Sequence, residues 1–527
     1  MKSVAEFSIT ADARIDGREN LIAKLPHPPQ TEDDAELILL AYQAWGEDCV
    51  KHLHGDFAFK IRDSRSQQLF CARDHFGVKP FFYARVEHNF LFSTSLNELR
   101  ADPRISDTLN ETAIGDYLVF GLNQDLSSTT FRDIQRLPAA HTLTIKNGEM
   151  TVRRYWHPDT SDEVHFRDPH LYVERFTELL QQAVRDRLHH TDRVAVSMSG
   201  GLDSTSLAAV ARHAGADVHA CAVVYDQLIP DEERFYSSAA AGHLGIPISY
   251  VVADRYSLFD EQVVGDMNQP EPFLLSPLTA QFHTLLRLCE AHSSVALTGY
   301  DGDAFMNEPK PPGIRTRLRR MVGRRSQKSA LPEWVDESFA ERTNLRERYE
   351  EVYFAPRRKV AKKEERPSAM RALNSKVWTP LFEGYDRAAT KLNLEVRHPF
   401  IDVRLVEYLL SIPAEPWCAN KHILRVAMKD LLPGSVLNRP KTSLAGDPAL
   451  QLARRGSVRW LDSFEVNPQL ASFVNLKQRR SIADELTPDD LWASLRVFAL
   501  NYWLTHSQPI DRRATENQNR AYRTSIA

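Results

Sequence analysis

Cysteine is scarce in this chain. The five cysteines among 527 residues (Cys49, Cys71, Cys221, Cys289, Cys418) are scattered and form no Cys-x-x-Cys pair. That pattern excludes a disulfide framework and gives no zinc signature; it predicts free thiols in a reducing compartment. Long apolar runs are also missing. The first residues carry Glu6 and Asp12 where a signal segment would be apolar, and no stretch reaches membrane-spanning length. Charge of one sign is not in excess either. Lys and Arg number 66 against 70 Asp and Glu, a net charge of −4, so no broad nucleic-acid footprint is indicated. No haem or flavin signal is found. What remains is ordinary globular text, 43% apolar and 26% charged, long enough for two or three domains with a large core. A cytoplasmic chain with no membrane and no nucleic-acid partner is expected.

The most informative stretch is Arg193-Val-Ala-Val-Ser-Met-Ser-Gly-Gly-Leu-Asp-Ser-Thr-Ser-Leu207. A short apolar strand, Val194 to Val196, runs into Ser199-Gly200-Gly201-Leu202-Asp203-Ser204, and a helical run follows from Leu207 to His213. Strand, small-residue turn and helix place backbone N–H groups and a helix N-terminus around an anion. Gly200 and Gly201 let the backbone approach it closely. Ser199, Ser204 and Thr205 offer hydroxyls, and Asp203 a carboxylate able to hold Mg²⁺ on phosphate oxygens. No Gly-Lys-Ser/Thr closes the loop, so this is not a Walker sequence.

Further strands and helices alternate after this loop: Val218 to Tyr225, a helix opened by Asp231-Glu232-Glu233, then Ile246 to Val252. Such alternation predicts a parallel sheet with ligands at its C-terminal strand ends. A helix precedes it over Leu171 to Leu188, with apolar residues at helical spacing. A second glycine-punctuated strand end is Val295-Ala-Leu-Thr-Gly-Tyr-Asp-Gly-Asp303. The first third, Phe7 to Trp156, reads differently. Asp56 to Arg62, Gln68 to Arg73, Phe81 to Tyr83, Phe90 to Ser95 and His141 to Ile145 are short strands, Asn147-Gly148 is a tight hairpin turn, and Asp33 to Trp45 is a helix.

These motifs together resemble the asparagine synthetase family. Ser199 to Ser204 is similar to the pyrophosphate loop of AMP-releasing ATP pyrophosphatases, and Val295 to Asp303 to that family's second loop. Leu394-Glu-Val-Arg-His-Pro-Phe-Ile-Asp402, Lys421-His-Ile-Leu-Arg425 and Asn438-Arg-Pro-Lys441 follow in the family's order. The resemblance implies an α/β fold. Residues 1–160 would form a layered, β-rich class-II glutaminase-like domain. Residues 170–510 would form the parallel-sheet ATP-pyrophosphatase domain with helical additions, and 511–527 a polar tail. It implies ATP and Mg²⁺ as cofactors, with Ser199, Gly200, Gly201, Asp203, Ser204, Val224 and Gly299 around the nucleotide. Asp203 and Asp303 would lie at the metal, and Lys421 and Lys441 would be aimed at pyrophosphate. A buried strand explains Val224 equally well.

The glutaminase resemblance rests on Gly55 to Phe59, Ala72-Arg-Asp-His-Phe-Gly-Val-Lys-Pro80 and Ser93 to Leu99. That family uses a cysteine exposed as the first residue once the initiator Met is removed. Position 2 is Lys2 here and the front of the domain is expected to be missing, so the domain is expected to be glutaminase-inactive and to serve packing or peptide docking; a start further upstream would change that expectation. In the second loop Ala304 replaces an acid, and Tyr300 stands where an ammonia-using synthetase has Glu. β-Lactam synthetases carry Tyr there, as a general base with a carboxylate partner; Asp386 is the candidate partner. The plainer alternatives are a loop aromatic for Tyr300 and a helix cap for Asp386.

Pro416-Trp-Cys418 and Pro440-Lys-Thr-Ser-Leu-Ala-Gly-Asp-Pro448 look most like the family's lasso-peptide cyclases. A peptide or small-molecule carboxylate substrate is therefore expected, with a precursor peptide and its processing proteins as partners. Lys310 to Arg325 holds seven basic residues and no acid, either a steering arm for an acidic peptide or a solvated loop. Ammonia- or glutamine-dependent asparagine synthesis and a non-catalytic peptide-binding protein are the alternatives. A tRNA-modifying pyrophosphatase is disfavoured by the net charge and the absence of an RNA module.

Overall fold

The computed structural model describes the chain apart from residues 1, 5, 88, 159–162, 230–231, 261–268, 274–275, 301, 309–330, 355–365, 441–445, 458–463, 480, 482–486 and 507–527. Lys441, the basic stretch Lys310 to Arg325 and the tail 511–527 lie outside the described residues.

The first nine strands are β1 (Lys2–Val4), β2 (Phe7–Asp16), β3 (His54–Asp63), β4 (Gln68–Arg73), β5 (Phe82–Val86), β6 (Asn89–Ser93), β7 (Gln135–Arg136), β8 (His141–Lys146) and β9 (Glu149–Arg154). They form an antiparallel six-stranded sheet, β1-β2-β3-β4-β8-β9, and a three-stranded sheet, β6-β5-β7. The period-two alternation of β3 and β4 builds two layers. Phe57, Phe59, Ile61, Phe70 and Ala72 face one way, against Leu37, Ile38 and Tyr42 of the helix Asp34–Trp45. Ala58 and Cys71 face the other way, against Phe81, Tyr83 and Leu137 at the three-stranded sheet. The helix starts where Asp33 accepts a hydrogen bond from the Ala35 amide. Asn147 and Gly148 both take positive φ, 52° and 82°, which suits a two-residue turn between β8 and β9.

Five further strands, β10 (Arg193–Ser197), β11 (Asp217–Val224), β12 (Ile248–Val252), β13 (Val295–Thr298) and β14 (Glu395–Arg397), form one parallel sheet in the order β12-β11-β10-β13-β14. Both faces are covered, as a parallel sheet requires. Val194 and Val196 pack against Phe176, Leu180 and Val184 of the helix His170–Arg187 and Leu207 and Val210 of the helix Leu202–His213. Ala195, Cys221 and Ala296 pack on the opposite side against Leu286 and Cys289 of the helix Thr279–Glu290. From β10 the chain moves outward through β11 and β12, then returns to place β13 on the other side of β10. The loops after β10 and β13 therefore diverge from neighbouring strand ends. This is the switch point at which open α/β sheets bind ligands.

The two sheet systems meet across buried charge. Arg136 reaches Glu383 with both Nε (2.7 Å) and Nη2 (3.0 Å), and its guanidinium also bonds Glu271. Arg73 adds a bond to Glu383 at 3.2 Å. Arg187 joins Asp402 (3.0 Å) to Asp16 (3.3 Å). The Ala72 to Pro80 motif thus acts at a domain junction: Asp74 accepts from the amides of Phe76, Val78 and Lys79, and Val78 packs into the core of the parallel-sheet domain.

Candidate active site

The helix after β10 starts at Leu202, five residues earlier than the sequence suggests. Asp203, Ser204 and Thr205 therefore occupy its first turn. Serine and threonine are weak helix formers because their hydroxyls compete for backbone groups, which is why periodicity alone placed the start at Leu207. The N-cap is Gly201, whose lack of a side chain leaves the first amides facing the loop. Thr205 is a correction to the expected hydroxyl donors: fully buried, it donates to the Gly201 carbonyl at 2.9 Å. The Ser204 hydroxyl donates to the Ser199 carbonyl (3.1 Å) and lies 3.2 Å from the Ser199 hydroxyl, which accepts from the Gly201 amide (3.2 Å). These bonds shape the loop from within.

The second loop closes on the first because it has glycines at the contacts. A Cβ on Gly299 would come within 2.6 Å of the Ser204 amide nitrogen, and one on Gly302 within 2.6 Å of the Asp203 carboxyl carbon. Nothing larger than glycine fits either position without moving backbone or the Asp203 carboxylate. Asp303 thereby comes beside Asp203, although 100 residues separate them in sequence.

Lys421 lies between the two carboxylates. Its Nζ is 2.5 Å from Asp203 Oδ2 and 2.6 Å from Asp303 Oδ1. Asn420 and Lys421 both adopt positive φ, 50° and 57°, strained values for residues with side chains. The strain is held by the Lys421 amide, which donates to the Met306 carbonyl (2.9 Å), and by Arg425 Nε, which donates to the Asn420 carbonyl (2.9 Å). Arg425 also bonds the carbonyls of Leu437 and Arg439, so one guanidinium fixes both the Lys421 turn and the segment leading towards 441.

The sequence reading missed Glu233 and Arg439. Glu233 accepts from the Gly200 amide at 2.6 Å and from Arg439 at 2.7 Å, and the Arg439 guanidinium stacks 4.3 Å over the Tyr236 ring. A carboxylate therefore sits on the first loop amide, as an anion is expected to. The available signals were Glu233 in the first helical turn and Arg439 within Asn438-Arg-Pro-Lys441.

The other expected residues divide. Gly200, Gly201 and Ser199 line the loop. Val224 is fully buried at the C-terminal end of β11, in the position of a core residue. Tyr300 is 56% exposed just beyond β13, with its amide donating to Thr298 Oγ1 (3.3 Å). Asp386 caps the helix Arg387–Thr390 by accepting from the Ala388 amide at 2.8 Å. It borders cavities lined by Pro80, Phe82 and Ser95 on one side and by Asp56, Lys79 and Glu395 on the other. Burial pushes its carboxyl up, against the Ala388 amide and Lys79. Its surroundings are those of the domain junction, as the helix-cap reading expects. Ala304 packs against the core. In the first domain Cys49 and Cys71 are fully buried, and burial pushes both thiols up, so neither supplies a thiolate nucleophile.

Two carboxylates converging on one nitrogen, beside a glycine-lined helix N-terminus, are a suitable donor set for Mg²⁺ on phosphate oxygens. The chain is also similar to known proteins. The asparagine synthase family is matched over residues 175–505, and a glutamine amidotransferase domain over residues 15–156. The chain belongs to the asparagine synthase family, whose members are ligases. Three relatives from Bacillus subtilis are named as glutamine-hydrolysing asparagine synthetases. Asparagine synthetase 3 is 28% identical over 79% of this chain and 71% of its own length. Asparagine synthetase 2 is 27% identical over 79% of this chain, which spans 59% of that relative. Asparagine synthetase 1 is 22% identical over 95% of this chain and 84% of its own length.

Proposed function

We propose that this chain is an ATP-dependent, AMP-forming amide ligase acting in peptide maturation, joining a side-chain carboxylate of a peptide to an amine of the same chain. The observation that carries the ligase reading is Lys421, held between Asp203 and Asp303 at the strand switch point. The substrate carboxylate attacks the α-phosphorus of ATP, the bond to pyrophosphate breaks, and an acyl-adenylate forms. The amine then attacks the acyl carbon and AMP leaves with the carboxyl oxygen. Negative charge develops on the leaving pyrophosphate in the first step. Lys421 supplies a fixed cation there, and the amides of the Ser199 to Ser204 loop supply donors. Mg²⁺, held by Asp203 and Asp303, would neutralise phosphate charge. Lys441 is assigned to the same pyrophosphate on the strength of its sequence context.

The peptide reading rests on Tyr300 and Ala304. An exposed tyrosine at the edge of the second loop suits a general base for an amine that arrives with its own substrate. Asparagine synthesis from aspartate is the second reading, favoured by the names of the relatives. Binding partners follow from the first reading: a precursor peptide and the proteins that process it, without nucleic acid or membrane. Among the described residues no helix is long and apolar enough to cross a membrane.

The test supplies ATP and Mg²⁺ either with aspartate and ammonia or glutamine, or with peptides that pair a free N-terminus with an internal Asp or Glu. AMP and pyrophosphate should form with a peptide, whose product has lost one water. Rapid asparagine formation would overturn the peptide reading. ADP in place of AMP would overturn the adenylate. Pyrophosphate release with no acid substrate would remove both, and a non-catalytic peptide holder would give no turnover at all.

A further inference from the structure

We propose that His219, Cys221 and His292 form a divalent metal site of the zinc type, with Cys289 beside it as a further thiol, on the sheet face away from the helix Leu202–His213. No zinc signature is legible in sequence because these residues are not one motif. His219 and Cys221 are two apart on β11, so both side chains project to the same face. Cys289 lies in the last turn of the helix that covers that face, and His292 follows in the turn beyond it. Parallel-strand topology brings the two pairs together across about seventy residues.

The geometry is that of a ligand set. One donor atom each from His219, Cys221 and His292 lies within 4.8 Å of the other two. In a tetrahedral zinc site such atoms are about 3.3–3.8 Å apart, given metal–ligand distances of about 2.0–2.3 Å, so closure needs side-chain shifts of about 1 Å. The two imidazole rings are stacked, with centroids 3.3 Å and planes 14° apart, so one ring must turn for both lone pairs to meet an ion. Cys289 is fully buried, and its neighbour Cys221 together with burial pushes its thiol up. The ligand chemistry, two imidazoles with one or two thiols, selects zinc over the hard cations Mg²⁺ and Ca²⁺, which prefer oxygen.

The supporting contacts also suit a metal. His219 Nε2 lies 2.9 Å from Ser249 Oγ on β12, which leaves Nδ1 for an ion and fixes the ring. The turn that carries His292 is anchored, because the amides of His292 and Ser293 both donate to the Cys289 carbonyl at 3.0 Å and Ser293 Oγ donates to the Arg193 carbonyl at 2.7 Å. The two cysteines are buried and the two histidines only half-buried, which gives an ion a path inward. His219 pairs with Ala195 and Cys221 with Ser197 of β10, so the site lies just ahead of the Ser199 loop, on the sheet face away from the helix that follows it. An ion there would clamp the helix Thr279–Glu290 onto the sheet. On binding, the Cys221 thiol, and Cys289 when it ligates, loses its proton to solvent.

The test treats the full chain with a chelator and titrates it with Co²⁺, then Zn²⁺. One Co²⁺ per chain should bind, with a thiolate-to-metal charge-transfer band and tetrahedral d–d bands that Zn²⁺ abolishes. Co²⁺ at an all-oxygen site gives no thiolate band, so the carboxylates of the active site are not a source of it. Cys221→Ser should remove the band. His292→Gln, at a half-buried turn, should weaken Co²⁺ binding at least tenfold while AMP formation remains, and it decides the matter if Cys221→Ser does not fold. A folded chain with no thiolate band, or a band unchanged in both His219→Gln and His292→Gln, would overturn the site.

Discussion

The chain has two loops dense in polar and glycine residues, Arg73 to Lys79 and Ser199 to Ser204, and they serve opposite ends. In the first, every polar group turns inward. Arg73 is fully buried and bonds the carbonyls of Gly77, Lys79 and Leu137 as well as Glu383, while Asp74 caps three amides. In the second, the N-cap is a glycine, the helix amides face outward, and a lysine from 218 residues away approaches from the open side. Both loops read as family text. The first loop's donors are paired with backbone and with Glu383 across the joint, whereas the second leaves the opening amides of its helix facing the loop.

The joint should break with the largest cost to stability. Arg136→Ala would leave Glu383 and Glu271 buried beside each other with one guanidinium removed. A loss of about 3–5 kcal/mol is expected, because breaking a buried pair from one side strands the remaining charge. Urea unfolding followed by fluorescence would measure it. A loss under 1 kcal/mol would mean that the junction is wet. The binding site should respond in the opposite sense. Lys421→Ala removes a cation aimed at the leaving group and should slow AMP formation by on the order of 10²–10³. Its urea midpoint should change far less than that of Arg136→Ala, since Asp303 is 41% exposed and water can screen it. Near-normal turnover in this variant would remove Lys421 from the chemistry.

Much of the site was legible because its parts are local. The Ser199 to Ser204 loop, the Gly299 strand end and Asp303 each sit at a strand-to-helix junction that hydrophobic periodicity marks. Lys421 was legible only by resemblance; nothing in its neighbourhood announces a positive-φ turn. What escaped was pairwise and distant. Arg136 and Glu383 are 247 residues apart, Glu233 and Arg439 206. Each such residue reads singly as a solvated charge, and only the fold supplies the partner. The same holds for His219 and His292. The β2 strand was blurred for another reason: Ala11 and Ala13 flatten its apolar alternation, although its ten-residue pairing with β3 is the longest ladder in the first sheet.

The junction also has a pH signature. Burial alone would push the Glu395 carboxyl up, but Lys79 and Arg397 outweigh it and hold it down to about 2 from 4.5. A carboxyl lowered in the folded state stabilises above its unfolded value and loses that contribution as pH falls through the folded one. Wild type should therefore exceed Glu395→Gln by a constant margin above pH 4.5, up to about 3 kcal/mol. The margin should shrink as pH drops towards 2. Urea midpoints taken across that interval would check this, and a margin independent of pH would show that Glu395 acts by packing alone.

The smallest change should come from Tyr300→Phe, and it divides the site itself. The ring is more than half exposed, so removing its hydroxyl should alter stability by less than about 0.5 kcal/mol. Adenylate formation, followed as pyrophosphate exchange into ATP, should stay near wild type, because it needs Lys421 and the loop amides rather than a base. Amide formation should slow by about 10² if Tyr300 takes the proton from the incoming amine. A selective loss in the second step would place the amine on the exposed side of the second loop, where a peptide end can reach it. Equal slowing of both steps would instead make Tyr300 a positioning residue for the nucleotide and would favour a small, free amine.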